Sequence, residues 1–180
     1  MTQDRPGDSV IRRATTADLP SLGILGTLLV REHHDFDPLR FLAASDRTPE
    51  RYASFLRSQL AEPDVILLVA DSGAGVVGYA YAAIEGYDWM SLRGPAAVLH
   101  DIVVDPGHRG GGVGRSLLDA VLSELKSRGA PRVVLSTAER NEPAQRLFER
   151  LGFRRTMVEM TCELDEACGG FSRPKVGPDA

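Results

Sequence analysis

The chain has 180 residues, of which 43% are apolar and 26% charged, a composition typical of one soluble globular domain. Its formal net charge is −4 and its basic residues are scattered, which argues against a non-specific nucleic-acid binder. The two cysteines, Cys162 and Cys168, have no metal-ligand spacing, so we expect no bound metal.

The N-terminus and the apolar stretches predict where the protein works. The first ten residues are polar and lack the apolar core of a secretory signal. No apolar stretch approaches the roughly 18 to 20 residues that a membrane-spanning helix needs. We therefore expect a cytoplasmic protein with no membrane partner.

The spacing of apolar residues predicts ten elements in the order β-α-α-β-β-β-α-β-α-β. In chain order these are a strand at Val10–Arg13, helices from Thr16 or Asp18 to Glu32 and from Thr48 to Ala61, strands at Val65–Ala70, Val76–Glu85 and Ala96–Val104, a helix at Val113–Arg128, a strand at Arg132–Thr137, a helix at Pro143–Leu151 and a closing strand at Arg154–Glu163. This order predicts an α/β fold, with a single mixed, mostly antiparallel sheet flanked by helices. We expect residues 1–164 to form one domain and residues 165–180 to form a mobile tail.

The strand-to-helix junction at Leu99–Arg115 is rich in glycine. Glycines let the backbone turn sharply there, and the free N–H groups of the following helix N-terminus attract an anion. We therefore predict a phosphate or pyrophosphate site. Neither nucleotide fingerprint fits, because Val113 replaces the lysine of a Walker loop and Arg115 replaces the third glycine of a dinucleotide loop. A turn without a ligand is the alternative interpretation.

Two motifs in this half of the chain resemble the GNAT superfamily of N-acetyltransferases, which use acetyl-CoA. The loop Arg109–Gly114 matches Arg/Gln-x-x-Gly-x-Gly/Ala, and Asn141–Phe153 is similar to Asn-x-x-Ala-x-x-Leu-Tyr-x-x-x-Gly-Phe at the expected distance. The predicted order of elements is also that of the superfamily, which extends the resemblance to Val10–Glu163. The resemblance implies a central pair of splayed strands and direct transfer of an acetyl group, without a covalent enzyme intermediate.

The resemblance also implies which residues hold acetyl-CoA. Main-chain groups of the glycine loop correspond to those that bind the pyrophosphate, namely Arg109, Gly110, Gly111, Gly112, Val113, Gly114 and Arg115. The preceding strand would pair with the pantetheine arm through Ile102, Val103 and Val104, and a bulge there would open the cleft. Asn141 matches an asparagine near the cofactor, although a helix N-cap explains it equally well.

Phe148 departs from the superfamily pattern. Many members have a tyrosine at this position, proposed to protonate the departing thiolate, and phenylalanine has no proton to give. Either no general acid is used, or another group such as Tyr79 or Tyr81 supplies the proton.

Three residues are candidate bases for the acceptor amine, which must lose a proton before it attacks. His100 comes first because it lies on the cofactor strand and an ordinary histidine titrates near ~6.5; a packed, structural histidine is the alternative. Asp101 competes with it, and alternation along a strand predicts that the two side chains point to opposite faces. Glu85, at the end of the preceding strand, is the third candidate. His33 is predicted to lie with His34 between the first two helices, near the acceptor site.

The sequence therefore predicts an acetyl-CoA-dependent N-acetyltransferase that acts on a primary amine of a small molecule or amino acid. Two alternatives stay open: a non-catalytic acyl-CoA-binding module, favoured by Phe148, and a transferase acting on a protein N-terminus or lysine. Strand edges left open near the closing strand predict a homodimer.

Overall fold

Two hydrophobic layers enclose a five-stranded sheet in residues 9–164, the part of the chain that the computed structural model describes. The strands are β1 Val10–Arg13, β2 Val65–Asp71, β3 Val76–Glu85, β4 Ala96–Val104 and β5 Val133–Leu135, and the helices are α1 Leu19–Phe36, α2 Thr48–Gln59, α3 Val113–Ser127 and α4 Glu142–Arg150. The strands lie side by side in the order β1-β2-β3-β4-β5. Each strand from β1 to β4 is antiparallel to its neighbour, and β5 is parallel to β4. This confirms the predicted mixed sheet, while the predicted tail at 165–180 lies outside the described residues.

Strand β2 has apolar residues on both of its faces, so its sequence does not alternate between apolar and polar residues. Residues 65–70 are all buried, because helices cover the sheet on both faces. Ile66 and Leu68 pack in the cluster that contains α3, whereas Leu67 and Val69 pack in the cluster that contains α1 and α2. No helix among the described residues has the length and apolar character to cross a bilayer.

Helix α1 is one turn longer than the sequence predicts. It ends at Phe36, so His33 and His34 lie in its last turn and the prediction of a loop position is wrong. The His33 Nδ1 lies 2.9 Å from the Leu29 carbonyl oxygen, and the His34 Nδ1 lies 3.0 Å from that of Phe41. Because a carbonyl only accepts, each Nδ1 carries the proton, and the two bonds tie the last turn of α1 to its preceding turn and to the loop that follows it.

Two glycines inside α1 let α2 approach it closely. A Cβ atom on Gly23 would lie 2.3 Å from the Pro49 carbonyl oxygen, and one on Gly26 would lie 2.1 Å from the Tyr52 ring. Glycine in a helix interior costs about 1 kcal/mol relative to alanine. The close contact of α1 with α2 explains why glycine occupies these positions.

The predicted closing strand at Arg154–Glu163 is wrong: residues 153–164 adopt no regular secondary structure and are largely exposed. Arg155 donates a hydrogen bond to Gln145 Oε1 of α4 at 2.7 Å, and Glu159 pairs with Arg40 after α1. These contacts tie the segment to α4 and to the loop after α1, and among residues 9–164 only β4 pairs with β5.

We expect Gly26→Ala to lower the free energy of unfolding by about 1–3 kcal/mol, because the new methyl group overlaps the Tyr52 ring. Urea denaturation followed by circular dichroism measures the change. Gly114→Ala in α3 is the matched control, since its Cβ would meet atoms only at 3.7 and 3.8 Å, and it should be neutral or stabilising. Equal stability of the two variants would contradict the packing role of Gly26.

Candidate active site

A bulge in β4 creates the central feature of the site. In the pairing of β3 with β4, Tyr81 is opposite Asp101 and Ala82 is opposite Leu99, so His100 is an extra residue on β4. Such a bulge places two consecutive residues opposite one and bends the strand that carries them.

The bulge brings His100 and Asp101 to the same face of the sheet. The His100 ring stacks on Tyr81 with 4.9 Å between ring centroids, and Asp101 accepts a hydrogen bond from the Tyr79 hydroxyl. Tyr79 and Tyr81 are two residues apart on β3 and share one face. The prediction that His100 and Asp101 face opposite ways is therefore wrong, because alternation is interrupted at the extra residue.

Strands β4 and β5 separate at this bulge. Their pairing joins 97–99 of β4 to 133–135 of β5 and ends there, although β4 continues to Val104. A cleft of about 350 Å³ opens where they diverge. Its lining is mainly apolar and comes from α1, the loop after it, β4, the end of β5 and α4: Leu29, Val30, His33, Arg40, Phe41, Leu42, Leu99, His100, Asp101, Ile102, Leu135, Ser136, Thr137, Asn141, Ala144 and Phe148. The splayed strand pair is confirmed.

Asp101 is a largely enclosed carboxyl group that lines this cleft. Its Oδ2 accepts hydrogen bonds from the hydroxyls of Tyr52, at 2.5 Å, and Tyr79, at 3.1 Å. No hydrogen bond to its Oδ1 is made by residues 9–164. Burial raises the pKa of Asp101, and the two tyrosine hydrogen bonds oppose that rise. The carboxyl group thus has one fixed oxygen and one oxygen able to meet a ligand.

The two tyrosines stay protonated in this arrangement. Burial, followed by the nearby Asp101 charge, raises the pKa of Tyr52 and of Tyr79 above that of ordinary tyrosine. Both therefore remain hydrogen-bond donors at neutral pH. Tyr52 was not predicted as a site residue, because its spacing on α2 indicates only a core face.

His100 and Glu85 form a separate polar chain at the rim. The His100 Nε2 lies 2.9 Å from Glu85 Oε1, and Arg93 donates to Glu85 Oε2 at 2.6 Å. His100 lines the cleft, whereas Glu85 does not. The bond to Arg93 occupies the Glu85 carboxylate, so Glu85 is positioned to hold His100 rather than to meet a ligand in the cleft.

The glycine loop leaves a row of backbone amides without acceptors. The first hydrogen bond of α3 runs from the Ser116 amide to the Gly112 carbonyl at 2.9 Å, and the amides of 110–115 have no acceptor within residues 9–164. Gly110 and Gly112 have φ values of +81° and +92°, which favour glycine, and a Cβ on either would meet open space. Converging amides at a helix N-terminus suit a phosphate group.

The edge of β4 beyond the bulge supplies main-chain groups to the cleft. The Asp105 amide donates to Val77 of β3 at 2.8 Å, while the Val104 carbonyl accepts from Arg109 Nε at 2.8 Å. Since alternate residues of an antiparallel strand turn their main chains to the same neighbour, Val103 faces β3, and Ile102 and Val104 face away from it. The main chain of Val103 is therefore turned away from the cleft, where the expected contact with the pantetheine arm would form.

Arg109 ties the glycine loop to α1, because its guanidinium also pairs with Glu32 at 2.5 Å. The Arg115 side chain pairs with Asp119 at 2.7 Å. Both arginine side chains are thus paired. The Arg109 main-chain amide donates to the Pro106 carbonyl at 3.3 Å, whereas the Arg115 amide has no acceptor within residues 9–164.

Asn141 serves as the predicted N-cap, since its Oδ1 accepts from the Ala144 amide at 3.3 Å, and it also lines the cleft. Phe148 lines the cleft as well. Tyr81 donates its hydroxyl to Gln59 at 3.0 Å and Tyr79 is fully buried, so no tyrosine lines the described cleft.

His33 joins the cleft from α1, where it packs edge-on against Phe41 at 5.0 Å between centroids. Within residues 9–164, no group of three or more histidine, cysteine or acidic side chains is arranged to hold a metal ion.

Comparison with known proteins assigns a family. The model of the acetyltransferase (GNAT) family matches residues 29–153, which is more than half of the chain and includes both sequence motifs. The chain belongs to the GNAT acetyltransferase family. The GNAT resemblance seen in the sequence is thereby confirmed.

Curated relatives are named acetyltransferases. A mycothiol acetyltransferase of Thermobifida fusca is 34% identical over 140 residues, covering 76% of this chain and 36% of that protein. One of Streptosporangium roseum is 40% identical over 82 residues, covering 42% and 24%. A glucosamine 6-phosphate N-acetyltransferase of Trypanosoma brucei brucei is 38% identical over 74 residues, covering 40% and 48%. The chain spans less than half the length of each of these relatives.

Solved structures confirm the GNAT fold. A tetramutant protein from Bacillus halodurans has a TM-score of 0.75 at 23% identity, covering 86% of this chain and 99% of that one. An aminoglycoside acetyltransferase from an uncultured soil metagenomic sample has a TM-score of 0.59 at 18% identity, covering 87% and 96%.

We expect the burial of Asp101 to oppose folding once the group ionises. Because its pKa is raised in the folded state above the ordinary value of about 3.9, the folded protein binds the extra proton, and stability falls as pH rises through the folded pKa. Asp101→Asn removes this loss. The unfolding free energy of the wild type minus that of the variant should decline as pH rises from about 4, whereas a constant difference would contradict a raised pKa.

Proposed function

We propose that the protein is an acetyl-CoA-dependent N-acetyltransferase that moves an acetyl group directly to a primary amine of a small molecule or amino acid. One observation carries the proposal: Asp101, whose Oδ1 accepts no hydrogen bond from residues 9–164, lines a cleft whose β4 wall leads directly into a loop of amides without acceptors. The Asp101 carboxylate can accept a proton or a hydrogen bond from an amine, and the amides of the loop can bind a phosphate group.

The residues present fit acetyl-CoA. The amides of 110–115 would hold its pyrophosphate, and the outward main-chain groups of Ile102 and Val104 would hold the pantetheine arm between the splayed strands. Asn141 would contact it from the opposite wall. When bound, acetyl-CoA supplies an acetyl group already activated as a thioester. An N–H group of β4 near the bulge is suited to stabilise charge on the acetyl oxygen.

Asp101 is the group best placed to receive the proton of the acceptor amine. An ammonium with a lysine-like pKa near ~10.4 must be deprotonated before it attacks. The tyrosine bonds orient Asp101, and burial raises its pKa toward the range of a useful base. His100, on the same face, can pass the proton outward to Glu85 and water.

The departing thiolate needs no acid from this chain. A thiol with a pKa near ~8.5 leaves as the thiolate at modest cost, which agrees with an apolar Phe148 in the cleft wall.

A small acceptor fits the cleft better than a protein does. The loop after α1 contributes Arg40, Phe41 and Leu42 to the lining, so the cleft is walled on the side of α1. The names of two relatives, mycothiol acetyltransferase and glucosamine 6-phosphate N-acetyltransferase, also support a small amine. Phe148 still favours a non-catalytic acyl-CoA-binding module as the second candidate.

Turnover of acetyl-CoA against a panel of small amines, peptides and protein N-termini tests the proposal. We expect thiol release with at least one small primary amine. Asp101→Asn should lower kcat by about 10²- to 10⁴-fold, whereas His100→Ala, as a relay, should cost less and shift the pH profile.

Binding of acetyl-CoA without turnover of any amine would favour the binding module, and peptide-only turnover would favour a protein acceptor. A wild-type rate and pH profile in Asp101→Asn would remove Asp101 from the mechanism. If His100→Ala lowers kcat more than Asp101→Asn does, His100 is the base instead of Asp101.

Gly112→Asp tests the loop directly. The new side chain strains a backbone at φ +92° and adds negative charge beside the free amides, so we expect the acetyl-CoA dissociation constant to rise by at least about 10-fold in calorimetry. Gly129→Asp at the other end of α3, with φ +80°, is the matched control for strain and should keep the wild-type affinity. Unchanged affinity in Gly112→Asp would refute the loop as the phosphate site.

A further inference from the structure

The cleft holds one basic and one acidic side chain at different depths. Among the residues that line it in the described part of the chain, Arg40 is the one arginine or lysine and Asp101 the one carboxylic acid; the other titratable side chains there are His33 and His100. Arg40 lies in the loop after α1 with its side chain 42% exposed, whereas Asp101 is largely enclosed at the bulge of β4. The cleft therefore has a positive charge at its mouth and an acidic group deeper inside.

Hydrogen bonds fix the turn that carries Arg40. The Asp37 carbonyl oxygen accepts from the amide of Arg40 at 3.2 Å and from that of Phe41 at 3.0 Å. The Phe41 carbonyl oxygen lies 3.0 Å from His34 Nδ1, in the last turn of α1. The backbone of Arg40 is thus held relative to α1, and its side chain starts from a defined position beside the cleft.

Two contacts orient the Arg40 guanidinium and leave one side of it for a ligand. Its central carbon lies 5.1 Å from the centroid of the Phe41 ring, a distance typical of a cation–π contact. Its Nε donates to Glu159, while its two terminal nitrogens donate to no residue of 9–164. Paired N–H groups of a guanidinium match the two oxygens of a carboxylate or phosphate.

Glu159 leaves that side open. Its side chain is 67% exposed and does not line the cleft. An ion pair between exposed side chains is weak, so Glu159 orients Arg40 without competing strongly with a ligand.

The phosphates of acetyl-CoA have a separate place. No residue of the glycine loop 107–114 lines the cleft, which Arg40 shares with Asp101. The anion that suits Arg40 is therefore one that enters the cleft together with the acceptor amine.

We propose that the acceptor is an amine that also carries an anionic group, either a carboxylate or a phosphate, and that Arg40 binds this group at the mouth of the cleft. The amine end then points inward to Asp101, so the two charges of the acceptor meet the two opposite charges of the cleft. This inference rests on the proposed acetyltransferase function and adds to it the class of acceptor.

Pairs of amines that differ in the anionic group test the proposal. At saturating acetyl-CoA, kcat/KM is measured for amino acids and the amines formed by their decarboxylation, and for phosphoethanolamine and ethanolamine. We expect the anionic member to be preferred in at least one series, and the preferred series tells whether the group is a carboxylate or a phosphate. Arg40→Leu should lower the ratio of anionic to neutral kcat/KM by about 10- to 100-fold, mainly through KM.

The change in this ratio cancels any difference in intrinsic reactivity between the two amines and any general damage to the enzyme. Arg40→Lys should restore the ratio in part, because it keeps the charge but loses the paired N–H groups. Glu159→Gln is the matched control. It breaks the same ion pair and keeps the guanidinium, so the ratio should stay at or above that of the wild type.

Four results would overturn the proposal. The first is equal or better turnover of the neutral amines by the wild type, which leaves the acetyltransferase function intact. The second is an equal fall of the ratio in Arg40→Leu and Glu159→Gln, since Arg40 would then only tie the segment after α4 to the loop. The third is an unchanged ratio in Arg40→Leu with weaker acetyl-CoA binding in calorimetry, which assigns Arg40 to a cofactor phosphate. Absence of turnover with every amine is the fourth, and it removes the proposed function as well.

Discussion

One extra residue in β4 organises the site. Without the bulge at His100, alternation along β4 would send His100 and Asp101 to opposite sides of the sheet, and one of them would enter the layer that contains α3. With the bulge, both face α1 and α2, and β4 turns away from β5 at the same point. The opening of the sheet and the placement of its acidic group therefore have a single backbone cause.

The contact of α1 with α2 serves the site as well as the core. Gly26 leaves room for the Tyr52 ring, and the Tyr52 hydroxyl then reaches Asp101. A buried carboxyl group with one bound oxygen is costly to fold and useful to a proton acceptor, because the same burial that raises its pKa lowers stability when it ionises. The burial of Asp101 therefore lowers the free energy of unfolding and raises the pKa of a potential base, a combination that is common in active sites.

The sequence predicts the parts of this structure that follow from local patterns. The bounds of β3 and β4 are predicted to the residue, and the glycines of 107–114 indicate the turn between β4 and α3. The bulge could not be read from residues near His100, since it depends on how β3 pairs with β4. Tyr52 was missed for a similar reason: its role requires α2 to cross α1 at Gly26, a tertiary contact that helical spacing does not encode.

The closing strand shows the opposite case, a local composition typical of a strand in a segment that forms none. The segment alternates poorly, since Met157 and Val158 are adjacent, and it is predicted to be a strand because it is rich in Thr, Met and Val. A strand also needs a hydrogen-bonded neighbour, which sequence composition cannot supply. Among residues 9–164 no strand pairs with this segment, and its Arg155 and Glu159 contact Gln145 and Arg40. Local sequence therefore predicts a strand reliably only where the tertiary structure supplies a paired neighbour, as it does for β3 and β4.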